Sequence, residues 1–492
     1  MNRRQFFVSS SIAAAGLALP GCTTTRQASV RPRSRVIGPN DTIRIAIVGF
    51  NSRGKDHIEG FRKLAGVKIV ALCDVDRKVL EAEARKFADR GEPVATFTDV
   101  RKLLERDDID CISTATPNHW HALLAIWACQ AGKDVYVEKP VSHNAWEGRQ
   151  IVKAARKYGR IVQTGTQSRS NPGLRDGVAW IQAGNLGRIT LARGLCYKPR
   201  QSIGKVSGPT AIPDHIDYDL WCGPAPTSPL MRQKLHYDWH WQFVTGNGDL
   251  GNQGIHQMDI ARWVLGEKTL SPSVFSIGGR FAYSDDGDTP NSQFAIHGYK
   301  RAPLIFEVRG LPKAKSFQGD GWSKNMPDYR GAQIGVVVDC EGGHVVIPSY
   351  DSAIAYDKSG KEIKRWKEGA DHYANFIAAV RSRKSADLNA DIEEGHLSSA
   401  LCHTSNISYQ LGSRLSPGAI RERLKDSPAA SETFERLAEH LAANGVDLNA
   451  TPAVLGAHLK MDTGSEQFTN SRDANIRLKR EYRKGFEVPS RV

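Results

Sequence analysis

From residue 43 the chain alternates short apolar runs with stretches whose apolar residues recur three or four positions apart. Ile43-Arg44-Ile45-Ala46-Ile47-Val48 is such a run, followed by a glycine turn and a stretch with Ile58, Phe61 and Leu64 at helical spacing. Val67 to Cys73, Val94 to Phe97, Asp110 to Thr114, Val135 to Val137 and Ile161 to Gln163 repeat the strand signal. Helical stretches from Asp99, from His119 toward Gly132, and up to Tyr158-Gly159 fill the intervals. Continuous apolar strands separated by amphipathic helices predict a doubly wound parallel sheet over residues 41–165.

Beyond residue 165 the period changes. Ile189 to Cys196, Gln293 to Tyr299, Leu304 to Arg309 and Gln333 to Pro348 read as strands, with hairpin turns at Gly342-Gly343 and Ser359-Gly360. One helix is expected from near Asn252 to Gly266, its start rich in glycine (Gly246, Gly248, Gly251, Gly254), which allows close approach to a ligand. The second domain, residues 166–415, is therefore expected to be α+β, with a mainly antiparallel open sheet through which a homo-oligomer would form. Residues 416–492 read as a polar extension, with Phe434, Leu437 and Leu441 at helical spacing, packing on the sheet domain or on a subunit neighbour.

The first forty residues follow another logic. Asn2-Arg3-Arg4-Gln5-Phe6-Phe7 leads into an apolar run to Leu19 and then Leu19-Pro20-Gly21-Cys22. This order is that of a twin-arginine export signal, and it predicts passage through the twin-arginine machinery to the periplasm or cell envelope. The last four residues resemble a lipoprotein cleavage box, which would make Cys22 a lipid anchor, although Pro20 is unusual there. The other seven cysteines are scattered, with no C-x-x-C, and read as buried thiols. The net charge of +14 is dispersed and accompanies no nucleic-acid motif, so no nucleic-acid partner is expected.

Chemistry enters at the ends of the predicted strands. Gly49-Phe50-Asn51-Ser52-Arg53-Gly54 is a dinucleotide-type turn in which Asn51 replaces the middle glycine, a residue that tolerates such turns. Asp74 lies 20 residues after Gly54, the spacing that brings a carboxylate to the adenosine ribose. Asp74 and Asp76 together would repel a 2′-phosphate, so NAD is expected over NADP, with Arg77 as the residue able to reverse that. Thr116, Asn118 and Lys139 fall at strand ends facing the same cleft. His256 is a natural base for a hydroxyl proton and Lys139 can polarise its oxygen. His236-Tyr237-Asp238-Trp239-His240-Trp241 reads either as a sugar-stacking site through His240 and Trp241 or as core and interface aromatics. No thiolate or carboxylate joins the histidines at ligand spacing, so no metal is expected.

These residues, with Thr116-Pro117-Asn118-His119-Trp120-His121, Glu138-Lys139-Pro140 and Gly254-Ile255-His256, resemble the Gfo/Idh/MocA family of glucose–fructose oxidoreductase and inositol dehydrogenase. The resemblance spans roughly residues 41–415. It implies a nucleotide held by Gly49, Asn51, Ser52, Arg53, Gly54, Asp74, Thr116, Asn118, His121, Glu138 and Lys139. It also implies catalysis by Lys139 and His256, with position 252 in the proton path and His240, Trp241, Asn252 and His256 against the substrate. The family has an aspartate where this chain has Asn252, and an amide cannot take a proton. The expected function is NAD-dependent oxidation or reduction of a sugar, polyol or sugar derivative. Two rivals stand beside it: redox-neutral glycoside cleavage through transient oxidation, and a non-catalytic envelope binding protein.

Overall fold

The computed structural model describes Gly38 and residues 40–492; the export signal and Cys22 lie outside these residues. The first sheet is built from β1 (Ile43–Val48), α1 (Arg53–Arg62), β2 (Val67–Cys73), α2 (Arg77–Asp89), β3 (Ala95–Phe97), α3 (Val100–Leu104), β4 (Cys111–Thr114), α4 (Asn118–Gln130), β5 (Asp134–Val137), α5 (Ala145–Tyr158) and β6 (Val162–Thr164). The six strands are parallel in the order β3-β2-β1-β4-β5-β6, with helices on both faces, a doubly wound Rossmann sheet. Strand order reverses between β1 and β4, so the cleft for a ligand opens at their carboxyl ends.

The second domain follows with α6 (Pro172–Gln182), β7 (Ile189–Tyr197), α7 (Tyr218–Cys222), a π-helical turn (Leu250–Gly254), α8 (Ile255–Leu265), β8 (Ser273–Gly279), β9 (Ser292–His297), β10 (Leu304–Arg309), β11 (Ile334–Cys340), β12 (Gly343–Ile347), β13 (Ser352–Asp357), β14 (Glu362–Lys367), α9 (His372–Ser382) and α10 (Ile392–Gln410). Then come β15 (Ser413–Leu415), α11 (Pro417–Leu424), α12 (Pro428–Ala443), β16 (Ala453–Leu455), β17 (Leu459–Asp462), β18 (Gln467–Phe468) and α13 (Arg472–Arg477). The main path of the sheet runs β14-β13-β12-β11-β7-β10-β9-β8-β16-β15, antiparallel except for the β7–β10 pair. Alternate residues of β7 decide its two faces. Ala192 and Cys196 pack under α8, whereas Leu191 faces the α11–α12 side.

That second face is not open along β8 to β10. Phe434, Leu437 and Leu441 of α12 bury themselves against Ile277, Phe294 and Ile305. The part of the sheet expected to pair with another subunit is thus covered by the chain's own helices. The reason lies in α12, whose apolar stripe needs a partner and finds it in strand residues more than a hundred positions earlier in the chain. Glu307, buried under α12, is held by Arg193, Arg309 and Arg436, whose charges outweigh burial and lower its pKa to about 2.

The final residues return to the first domain. Phe486 and Val488 enter the core beneath α4, where Phe486 meets the Trp120 ring edge-on at 5.7 Å. Seven cysteines of the described chain are free, all but Cys340 buried.

Candidate active site

The β1–α1 turn shows why glycine is needed at its two ends. Gly49 has φ +74°, and a side-chain carbon there would stand 2.8 Å from Thr116. At Gly54 it would stand 2.2 Å from the Gly49 carbonyl oxygen. Ser52 precedes α1 without a side-chain cap, so the first N–H groups of this ten-residue helix remain available to an anion. Asn51, Ser52 and Arg53 line the cleft beside them.

Asp74 ends β2 and turns back to the glycine loop. Its carboxylate accepts hydrogen bonds from the N–H groups of Phe50 (3.1 Å) and Asp76 (3.0 Å), which leaves lone pairs toward the cleft. Burial raises its pKa, an effect opposed by those two N–H groups. Asp76 is not a second ribose ligand. Its side chain caps α2 through Lys78 and Val79 and receives His215 at 2.8 Å and His236 at 3.0 Å. Arg77 turns away as well, its guanidinium donating to the Asp214 carbonyl and standing outside the cleft wall.

Glu138, Lys139 and Pro140 follow β5. Glu138 is buried and acts inside the protein, accepting from Arg53 Nε at 3.0 Å and from the Lys139 N–H at 3.1 Å and lying 3.2 Å from His57 Nε2. Burial works to raise its pKa, but the His57 hydrogen bond and the Arg53 charge hold it well below the carboxylate range. Lys139 extends over the cleft and donates to the main-chain oxygen of Asn252 at 2.7 Å. Burial lowers its pKa, partly offset by Glu138. His121 stands between the Pro140 carbonyl (2.6 Å) and the Thr116 carbonyl (2.7 Å) and braces the two strand ends; burial lowers its pKa, and the neutral ring donates to one of the two at a time.

The π-helical turn presents Asn252, and the first turn of α8 presents His256, to the same cavity. The glycines around it serve the protein rather than a ligand. Side chains at Gly246, Gly251 and Gly254 would strike the His240 main chain, Asn247 and Phe306. His256 Nδ1 is buried without a partner among the described residues, and the ring lies edge-on to Tyr350 at 5.0 Å. Burial and the Lys139 charge push its pKa well below the imidazole value, so it stands neutral.

These elements surround one cavity of about 690 Å³, bordered by Gly49, Asn51, Asp74, Thr116, Asn118, Lys139, His240, Asn252 and His256. That volume lies within the range of about 300–1,000 Å³ typical of ligand sites. Trp241 does not reach it and faces a neighbouring cavity. Sequence reasoning missed Lys198, Gln253 and Tyr350, linked by hydrogen bonds from Lys198 Nζ to Gln253 (3.0 Å) and between Gln253 and the Tyr350 hydroxyl. It also missed Trp120 and Trp221 in the wall, where Trp239 of the aromatic tract joins them. A dinucleotide fits the donor set. The turn offers N–H groups, Asp74 offers acceptor sites, and the Asn118 side-chain oxygen is buried without a donor among the described residues.

The cleft is closed from the second domain. Ile216 bridges to Asp76, the Asp217 N–H donates to the Val75 carbonyl at 3.1 Å, and His119 and Trp120 are tied to the carbonyls of Trp221 and Leu220. Arg483, near the end of the chain, pairs with Asp219 at 2.9 Å, and Arg480 donates to the Val244 carbonyl.

Residues 43–166 match the model described as "Oxidoreductase family, NAD-binding Rossmann fold", and residues 187–289 match its "C-terminal alpha/beta domain". These two segments match the two domain models of the Gfo/Idh/MocA oxidoreductase family. The first is an NAD-binding domain. A "Glycosyl hydrolase family 109 protein" of Shewanella pealeana is 34% identical over 171 residues, 32% of this chain and 37% of the relative. A protein of the same name from another Shewanella strain matches at 34% over the same length. Thus the match spans little more than a third of these relatives. Two solved structures share the fold: the WlbA dehydrogenase of Bordetella pertussis with NADH and UDP-GlcNAcA (22% identity, TM-score 0.53, 73% of this chain and 94% of that one), and a levoglucosan dehydrogenase with NADH and levoglucosan (17%, 0.53, 73% and 95%).

Proposed function

We propose that the chain is an enzyme acting on a sugar or sugar derivative by hydride transfer at a carbinol carbon, with NAD held tightly between turnovers. The observation that carries this reading is that Lys139 and His256 border the cavity that also contains the Gly49 turn and Asp74. When bound, NAD accepts hydride from the carbinol carbon and can return it. The chain's own residues do the rest. Neutral His256 takes the hydroxyl proton through Nε2 or Nδ1. Charged Lys139 draws electron density from the oxygen being oxidised. Asn252 has no proton to exchange at its amide, so it orients the hydroxyl by hydrogen bonding and leaves the proton to His256. The tryptophans and Tyr350 exclude water from the reacting carbon.

A second reading, redox-neutral cleavage of a glycosidic bond, is favoured by the closure of the cleft over the Asp74 side. A nucleotide enclosed in this way is ill suited to leave in its reduced form after each cycle. The relatives named glycosyl hydrolase support it too. In that reading the transient ketone acidifies the adjacent C–H, loss of that proton expels the glycosidic oxygen as the alcohol, water adds to the unsaturated ketone left behind, and the hydride then returns to the carbonyl carbon. The test is to incubate the purified protein with a panel of methyl and 4-nitrophenyl glycosides. Accumulating reduced nucleotide supports net oxidation, and sugar release without net reduction supports cleavage. Neither outcome with any sugar would leave the binding-protein reading. Export by the twin-arginine route to the periplasm or envelope, with Cys22 as an anchor, belongs to the same proposal. Cell fractionation with and without Arg3 and Arg4 tests it.

A further inference from the structure

The tract from His236 to Trp241 is a wall between two cavities. Asp238–Trp241 forms a single 3₁₀ turn, in which residues three apart share a side. Trp239 and His240, stacked with ring centroids 3.6 Å apart, line the nucleotide cavity. Asp238 and Trp241 face the other way, into a second cavity of about 410 Å³. Tyr237 borders both, 48% exposed, and holds φ +66°, a conformation that costs a non-glycine residue energy and fixes where its ring projects.

The second cavity contains an unusual carboxylate. Asp238 is only 9% exposed, and among the described residues no hydrogen bond or ion pair engages its carboxylate, whose oxygens stay open to this cavity. Lys234 and Arg232 offset part of its charge from a distance, so its lone pairs are free for a ligand that brings donors. Arg200 cannot serve it. Its guanidinium is fixed to Asp249 by two bonds of 2.7 Å and lies over Trp241 at 4.8 Å. Gln201 and Gln233 add amides on the open side.

A carboxylate acceptor beside aromatic rings and amides matches a neutral sugar. Two adjacent hydroxyls donate to one carboxylate while the apolar ring face packs on an aromatic. An anionic group would meet the Asp238 charge. We propose that this cavity is the subsite for a second, neutral sugar unit, which makes the substrate a disaccharide, an oligosaccharide or a glycoside with a sugar on the leaving side. The inference rests on the proposed action on sugars, and Tyr237 is the platform both units share.

The experiment compares methyl glycosides with di- and trisaccharides of the gluco-, galacto- and manno-series. Reduction of the bound nucleotide, sugar release and saturation-transfer NMR are the readouts. In a series that reacts, kcat/KM for the disaccharide should exceed that for the methyl glycoside by about tenfold or more. Asp238→Asn should remove that advantage through KM and leave kcat and the methyl glycoside unchanged. Should D238N misfold, the exposed pair Gln201→Ala with Gln233→Ala replaces it with the same expected split. Equal kcat/KM for both lengths, or an equal loss on both in the variants, overturns the subsite while the sugar reading stands. Failure of every sugar to bind or react overturns the sugar reading and the subsite with it.

Discussion

The Lys139 ammonium reaches the main-chain oxygen of Asn252, not its side chain, at 2.7 Å. This bond ties the strand end that carries the lysine to the π-helical turn that leads into α8, the helix that carries His256, across the boundary of the two domains. It also survives any change of the side chain at 252. Replacing Lys139→Ala or His256→Ala should lower turnover by about 10²-fold or more, the scale of a lost acid–base partner. Bound nucleotide, measured after denaturation, should remain at the wild-type level. Near-normal turnover in either variant would remove the assigned role.

Asn252→Asp should keep substrate binding and change the pH profile, because a second titrating group joins the site. In the wild type, His256 is depressed below the imidazole value and Lys139 below the ordinary amine value. A base with a lowered pKa stays deprotonated to lower pH, so the acid limb of kcat/KM should fall below pH ~6.5. The alkaline limb should fall below ~10.4 if charged Lys139 is required. A profile identical in wild type and N252D would put position 252 outside the proton path.

Much of the nucleotide half was legible because its signals are local. Gly49, Gly54 and Asp74 lie within one strand–helix–strand unit, and the turn, the close packing and the carboxylate each leave a mark on nearby residues. Lys139 was legible through its place after an apolar strand. Asp76 was expected only to add its charge against a 2′-phosphate; its pairing with His215 and His236 could not be read, because they lie 139 and 160 residues away. Lys198, Gln253 and Tyr350 were missed for the same reason: only the folded sheet brings them together. The covering of the sheet by α12 depends on a stripe visible in the sequence, but not on any signal of where that stripe docks.

NAD should bind more tightly than NADP. Asp74 stands at the ribose end of the turn, and Arg77 is held by the Asp214 carbonyl away from the cleft. Calorimetry on nucleotide-free protein should show NADP weaker by about tenfold or more, equivalent to about 1.4 kcal/mol. Tighter NADP binding would mean that Arg77, or the His215–His236 pair beside Asp76, receives the 2′-phosphate.

The nucleotide should survive extensive desalting. Phe486→Ala removes the ring that backs Trp120, and it should speed nucleotide release without replacing any residue that lines the cavity. Stopped-flow displacement by excess fluorescent nucleotide measures the rate. An unchanged rate in F486A would show that the closing segment does not govern retention.

Stability should fall as the solution is acidified below pH ~6.5. His119, His297 and His403 are buried, and burial lowers each pKa to about 3. Between the unfolded value and about 3 the unfolded chain binds more protons than the native one, so native stability drops with pH, by up to ~1.4 kcal/mol per unit for each group. Below pH ~4.3 the depressed Glu307 adds to the loss, because its stabilisation disappears on protonation. Urea midpoints from pH 8 to 4 check this, and a flat dependence would contradict it.

The segment from Arg480 to Val488 has a consequence for how the molecule is made. The Rossmann sheet is complete by Thr164, yet the wall behind Trp120 waits for Phe486, synthesised more than three hundred residues later. A chain growing on the ribosome therefore displays an unfinished cleft for most of its synthesis, since domains fold in the order they emerge. On the proposed reading that the nucleotide is held between turnovers, this interval is the expected time of loading, and the nucleotide pool where the chain is made would set what the finished protein carries.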